Sequence, residues 1–293
     1  MVISGHSGTP IGQSRWGRGT VTSFTWRNAA SGNWSTAADW TPTGGPPSSS
    51  ADTATINATG ATYTVTFNET SETIDDLIVD SAAATLAFGV GTGGTLTVDT
   101  ATSLQAGTIS LSNASAVPNA GSLTTASGTD LILGGNNSAV NYDGATVGGL
   151  VDMLGTTAHF GPSSAALTLN GTIEATGGTG TVTFASISGS GTFEAAGGKL
   201  VVASSLANSS VSNVISNSAS SVFETTGLLF YGSTLSVSFL GPAGEFQYND
   251  PSSDSHVIFH ISGLNAGPSK ATPTNFLDFA GERLTITSGG TGT

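Results

Sequence analysis

Tyr63-Thr64-Val65-Thr66-Phe67, followed by Ile74-Asp75-Asp76-Leu77-Ile78-Val79, Thr85-Leu86-Ala87-Phe88 and Thr95-Leu96-Thr97-Val98, is the stretch on which the fold turns. In the first run, alternation puts Tyr63, Val65 and Phe67 on one face and the threonines on the other, as a half-buried strand requires. The same grammar recurs downstream in Thr108-Ile109-Ser110-Leu111, Asp130-Leu131-Ile132-Leu133, Ala166-Leu167-Thr168-Leu169, Thr181-Val182-Thr183-Phe184, Lys199-Leu200-Val201-Val202 and Leu235-Ser236-Val237-Ser238-Phe239. Gly or Asn separates nearly every run. No window has helical periodicity of useful length, so the chain reads as all-β.

Gly-x-apolar starts at Gly94, Gly107 and Gly121 lie thirteen and fourteen residues apart, and those at Gly171, Gly180 and Gly191 nine and eleven. Such irregular repetition suits a parallel β-solenoid, whose coils can each lengthen a turn outward while the strands keep register. A β-sandwich has strands at similar spacing and is the alternative. The absence of helical candidates and an aromatic content of 7% favour the solenoid, with Val, Ile, Leu and Ala filling a narrow core. The expected fold is a right-handed parallel β-solenoid (β-helix) with an aromatic N-terminal cap.

Between Arg27 and Lys199 there is no lysine or arginine, against thirteen acidic residues, and the whole chain carries a formal charge of −13. Without a cationic surface to neutralise phosphates, nucleic-acid binding is excluded. Charged residues are only 9% and apolar residues 37%, which excludes charge-driven disorder. There is no cysteine, hence no disulfide, thiol nucleophile or Cys-based metal site. The first twenty residues hold no apolar run typical of a signal peptide, and no apolar run is long enough to span a membrane as a helix. No membrane insertion of this segment is therefore expected.

Three segments follow: a Gly/Ser-rich lead-in over 1–23, a Trp-rich cap over 24–50, and a solenoid over 51–293 that reads as part of a longer repetitive protein. Trp26, Trp34 and Trp40 are three of the four tryptophans. A cluster of this kind closes one end of a fold, each indole burying apolar area while its N–H finds a carbonyl. Its competing role is a glycan-stacking platform, flat rings packing against pyranose faces.

The residues Trp26, Gly32-Asn33-Trp34, Ala38-Asp39-Trp40, Pro46-Pro47, Asp52-Thr53-Ala54 and Tyr63-Thr64-Val65, followed by Ile74 to Val79 and Gly94-Thr95-Leu96-Thr97-Val98, carry a resemblance. Over about eighty residues, Phe24 to Leu104, the chain resembles the opening of bacterial autotransporter-type β-helical passengers and related giant β-strand-repeat surface proteins. The resemblance implies an extracellular or cell-surface address and adhesion, biofilm or passive display. Neither a leader nor a C-terminal outer-membrane barrel, usual in such families, is visible.

Catalytic and metal signals are sparse. Asp75-Asp76 is the only adjacent acidic pair, and adjacent strand residues face opposite ways, so a solvated edge is the ordinary reading. His256 and His260 are four apart on a strand-like run, about 13 Å from each other and too far for one zinc ion. Asp250 and Asp254 flank Pro251-Ser252-Ser253 and are the one pair placed to share a calcium ion, although no loop spells a full oxygen cage. No other cofactor is expected. The functional expectation is a non-enzymatic structural or adhesive module whose partners are glycans or neighbouring surface proteins, self-association included. The alternative is a polysaccharide-binding or polysaccharide-degrading enzyme on the same fold.

Overall fold

The structure is a computed structural model that describes residues 21–89, 94–112, 117–118, 121–206, 210–227, 234–241, 243–249, 258–264 and 275–279. Asp250, Asp254 and His256 lie outside the described residues. The chain winds as a parallel β-solenoid of about eight turns, with no α-helix among the described residues.

One coil shows the plan. Gly144–Val147 lies on a first face, Leu150–Asp152 on a second and Thr157–Phe160 on a third, after which Ala166–Leu169 returns to the first face one coil further on. Registers are strict: Ala145 stands beside Leu167, Val151 beside Ile173, and Ala158 beside Gly180. All three pairs are 22 residues apart. The next step is 20, from Leu167 to Ile187 and from Ile173 to Phe193. The glycine spacings of nine to fourteen residues therefore mix corners with a strand position, Gly180 lying inside Thr179–Val182, and the coil itself is about twice as long. Gly171 and Gly191, twenty apart, occupy the same corner in successive coils.

The sandwich alternative fails because pairing is parallel throughout the described residues except where Thr22–Trp26 meets Trp40–Thr41. A parallel ladder needs a crossover between partners, and here the rest of each coil supplies it. Alternation gives each strand an inner and an outer row. On the second face Leu86, Ile109, Leu131, Val151, Ile173 and Phe193 stack in register, each at most 3% exposed. Every coil thus seals the open core of the one before, which is how a narrow apolar column becomes dry.

Residues 71–88 and 95–111 each form one long strand that bends round corners instead of breaking at them, with register irregularities between Ile74 and Asp76, Val79 and Asp80, and Asp80 and Thr85. Strict alternation fails at such a bulge. Asp75 and Asp76 sit beside one, so the expectation that they face apart is corrected: both are partly exposed and repel each other. At the next corner Gly107 takes φ +90°, and a Cβ there would lie 2.3 Å from the Ser81 carbonyl oxygen and 2.6 Å from that of Ala84. Only glycine fits both the backbone and the gap.

At the N-terminal end Thr22–Trp26 pairs in parallel with Asp52–Ile56, and Gly32–Asn33 with Tyr63–Phe67. The aromatic segment is thus continuous with the first coil and shares its core. Trp40 packs edge-on against Trp26 at 5.1 Å and Trp34 at 4.8 Å, and Trp34 meets Phe67 at 5.5 Å. The indole N–H groups donate to carbonyls: Trp26 to Ala30, Trp34 to Pro47 and Trp40 to Trp34. Asp52 is buried because its carboxylate accepts the N–H groups of Ser48 and Ser49, holding the turn that feeds the second coil.

Candidate functional site

The sugar-platform reading of the tryptophans is overturned by their burial. Trp26 is 2% exposed and Trp34 and Trp40 are 0%, so no ring face remains for a pyranose to cover. Their faces are spent on one another.

What the coil brings together instead is acidic. On the outer row of the second face Asp152, Glu174 and Glu194 stand in strict register on successive strands. Parallel strands lie about 4.8 Å apart, so three carboxylates climb the rod at that step. Asp130, one coil below, occupies the neighbouring row and pairs with Leu150. Beside them runs a shallow groove of about 590 Å³ lined by Asp130, Glu174, Glu194, Asn170, Thr172 and Thr192, with glycine corners as its floor. At Gly171 a Cβ would lie 2.0 Å from the Gly149 carbonyl oxygen, so the groove exists because the corner chains touch backbone to backbone.

Two of the stacked carboxylates have hydroxyl donors from the next coil, Asp152 from Thr176 and Glu194 from Ser216. Glu174 sits between them. Burial, then the charges of Asp152, Glu194 and Asp130, push its carboxyl above the usual range. Folded Glu174 therefore holds its proton more tightly than the unfolded chain does. Its contribution to stability is full below the ordinary glutamate range and is lost as pH rises through the raised folded value. Glu72 and Asp76 are shifted in the same direction, chiefly by burial. Melts of Glu174→Gln at pH 7 are expected to show a gain of a few tenths to about 1 kcal/mol, since like charges directly opposite on neighbouring strands destabilise a sheet. The gain is expected to shrink as the pH is lowered toward the glutamate range, and an unchanged or lowered stability at pH 7 would contradict the repulsion.

The first face carries a different row. Ser103, Thr124, Thr146, Thr168 and Ser188 follow one another in register on its outer side, Thr168 and Ser188 bringing their hydroxyl oxygens within 3.4 Å. This row holds no charge. Among the described residues the cations are Arg27, which donates to the Trp40 carbonyl and the Thr41 hydroxyl, and Lys199 on the third face.

No group of three or more His, Asp or Glu side chains is arranged to hold a metal ion among the described residues. His260 lies on the outer side of Ile258–Ser262. Calcium is expected to raise the melting temperature only as much as magnesium at the same concentration, through diffuse screening. A folded-state site at a hundred times its dissociation constant would add about 2.7 kcal/mol, so a large calcium-specific rise in melts with a chelator control would reveal one.

The acidic ladder escapes a reading of neighbours in sequence because Asp152, Glu174 and Glu194 are 22 and 20 residues apart. Those intervals equal the coil length, which is the signal that could have found it. No family model, curated protein or solved structure matches the chain.

Proposed function

We propose that this chain is a non-enzymatic rod segment of a bacterial secreted or cell-surface protein of autotransporter-like type, displaying polar rows to neutral glycans or neighbouring surface proteins. The observation that carries the reading is the register of those rows. Hydroxyls from Ser103 to Ser188 and carboxylates from Asp152 to Glu194 repeat once per coil over an uninterrupted apolar core. Hydroxyl and carboxylate groups suit the hydroxyls of sugars as donors and acceptors. Each contact is weak, and affinity accumulates along the rod when a polymer engages several coils.

A second reading is favoured by Glu174. A carboxyl whose proton affinity is raised by burial and by neighbouring carboxylates, set in a groove, is the kind of group a glycoside hydrolase uses as its acid, with a second carboxylate acting as base or nucleophile. The test for both is a glycan array run beside a polysaccharide panel scored for new reducing ends. Binding without cleavage is the expected result. Cleavage that disappears in Glu174→Gln would establish the hydrolase instead, and neither binding nor cleavage would reduce the segment to passive structure.

A further inference from the structure

We propose that the rod carries a clamped joint at the coil of Ser212–Ile215 and Val222–Thr225, from which the later strands open together as one unit while the coils up to Val202 stay folded. The core changes character at this coil. On the second face the inner row Val151, Ile173 and Phe193 is interrupted by Asn213 before it resumes with Val237. On the third face Val182 and Val202 are followed by Thr225 and then Tyr248. Asn213 and Thr225 are both buried. Asn213 Nδ2 donates to the Ser236 carbonyl at 2.8 Å, but Asn213 Oδ1 and Thr225 Oγ1 have no hydrogen-bond partner among the described residues. No described side chain from Leu104 to Val202 holds such an orphaned atom. The coil also lengthens here, from 20 residues between Phe193 and Asn213 to 24 between Asn213 and Val237. Below the joint the column holds Ala175, Val182 and Ala195; beyond it, Phe223 meets Phe246 at 6.2 Å, Phe246 meets Phe259 at 5.8 Å and Phe259 meets Tyr248 at 5.1 Å.

A buried polar atom without a partner costs the folded state its hydration, and opening the coil restores it. In a stack whose coils touch only their neighbours, separation runs at the weakest boundary. The ring contacts tie the later coils to one another, so they leave together. What holds the boundary shut lies on the outside. Lys199, on the last third-face strand before the joint, pairs with Glu224 and donates to Gln247 Oε1 at 3.0 Å, so one ammonium grips the joint coil and the coil after it. Asn249 Nδ2 donates to the same Glu224 carboxylate at 2.7 Å, and the Gly197 N–H donates to the Ser221 hydroxyl at 2.9 Å. The Glu224 side chain is 12% exposed, so water competes poorly for these contacts. An outer polar clamp thus closes an inner seam that is stabilised by water once it opens.

Native-state hydrogen exchange of the full chain, read strand by strand, tests the joint. The expected result is a step. Ser212–Ile215, Val222–Thr225, Thr234–Phe239 and Glu245–Tyr248 share one opening equilibrium, about ten- to a hundredfold more open than that of Thr192–Ala195 and Lys199–Val202. Thr225→Val keeps the side-chain shape and removes the orphaned hydroxyl, and is expected to slow exchange across the whole block by about tenfold. Lys199→Met releases the clamp and is expected to speed it by about fivefold, with Thr172–Ala175 unchanged in both variants. Should either variant fail to fold, the wild-type profile decides. One level of protection along the whole rod would overturn the proposal. So would a coil-by-coil gradient toward Phe279, which is fraying, or a Thr225→Val effect confined to its own strand.

Discussion

Trp40→Ala is expected to lower the unfolding free energy by about 3–5 kcal/mol, the range for truncating a buried large aromatic side chain. Trp40 is wholly buried, its ring is wedged edge-on between Trp26 and Trp34, and its N–H satisfies the Trp34 carbonyl at 2.8 Å. Removing it opens a cavity at the N-terminal end of the column and leaves a buried carbonyl without its donor. Chemical denaturation followed by intrinsic fluorescence measures the loss. Removing residues 24–50 altogether is expected to cause aggregation, because the strand Asp52–Ile56 would lose its parallel partner and expose a free edge over apolar core. A truncated protein that remained monomeric, with an unchanged melting temperature, would show that the tryptophans cap nothing.

The second large effect is expected at Gly107. Gly107→Ala forces a side chain into a backbone conformation that costs about 1–3 kcal/mol. It also drives the new Cβ into the Ser81 and Ala84 carbonyls, for roughly another 1–3 kcal/mol of overpacking. Gly128 separates the two causes, because its φ is +79° with nothing within 4 Å of a new Cβ. Gly128→Ala is expected to show the backbone cost alone. Equal losses at the two positions would mean that the close approach of the corner contributes nothing.

Alternation made the strands legible. Tyr63, Val65 and Phe67 point inward as their spacing requires, as do Leu131 and Leu133. It misled at Asp75-Asp76, where the chain turns a corner without leaving the strand and the period of two slips. Indole chemistry suggested either a plug or a platform for Trp26, Trp34 and Trp40. Only packing distinguishes them, since a ring is a binding surface only while one of its faces is bare.

By itself the sequence determined an all-β chain with an apolar interior, because side-chain direction in a strand follows from position alone, while the parallel pairing that makes it a solenoid appeared only in the structure. It also determined the absence of a cationic surface, since charge is a matter of composition. Tertiary structure decided which residues of different coils stand side by side. Asp152, Glu174 and Glu194 are strangers in sequence and neighbours on one row, and Lys199, Glu224 and Asn249 meet across two coils. The physical reason is that coil length varies from step to step, so the partner of a given outer residue is set by the backbone ladder and the close packing of corners, and both depend on every coil beneath.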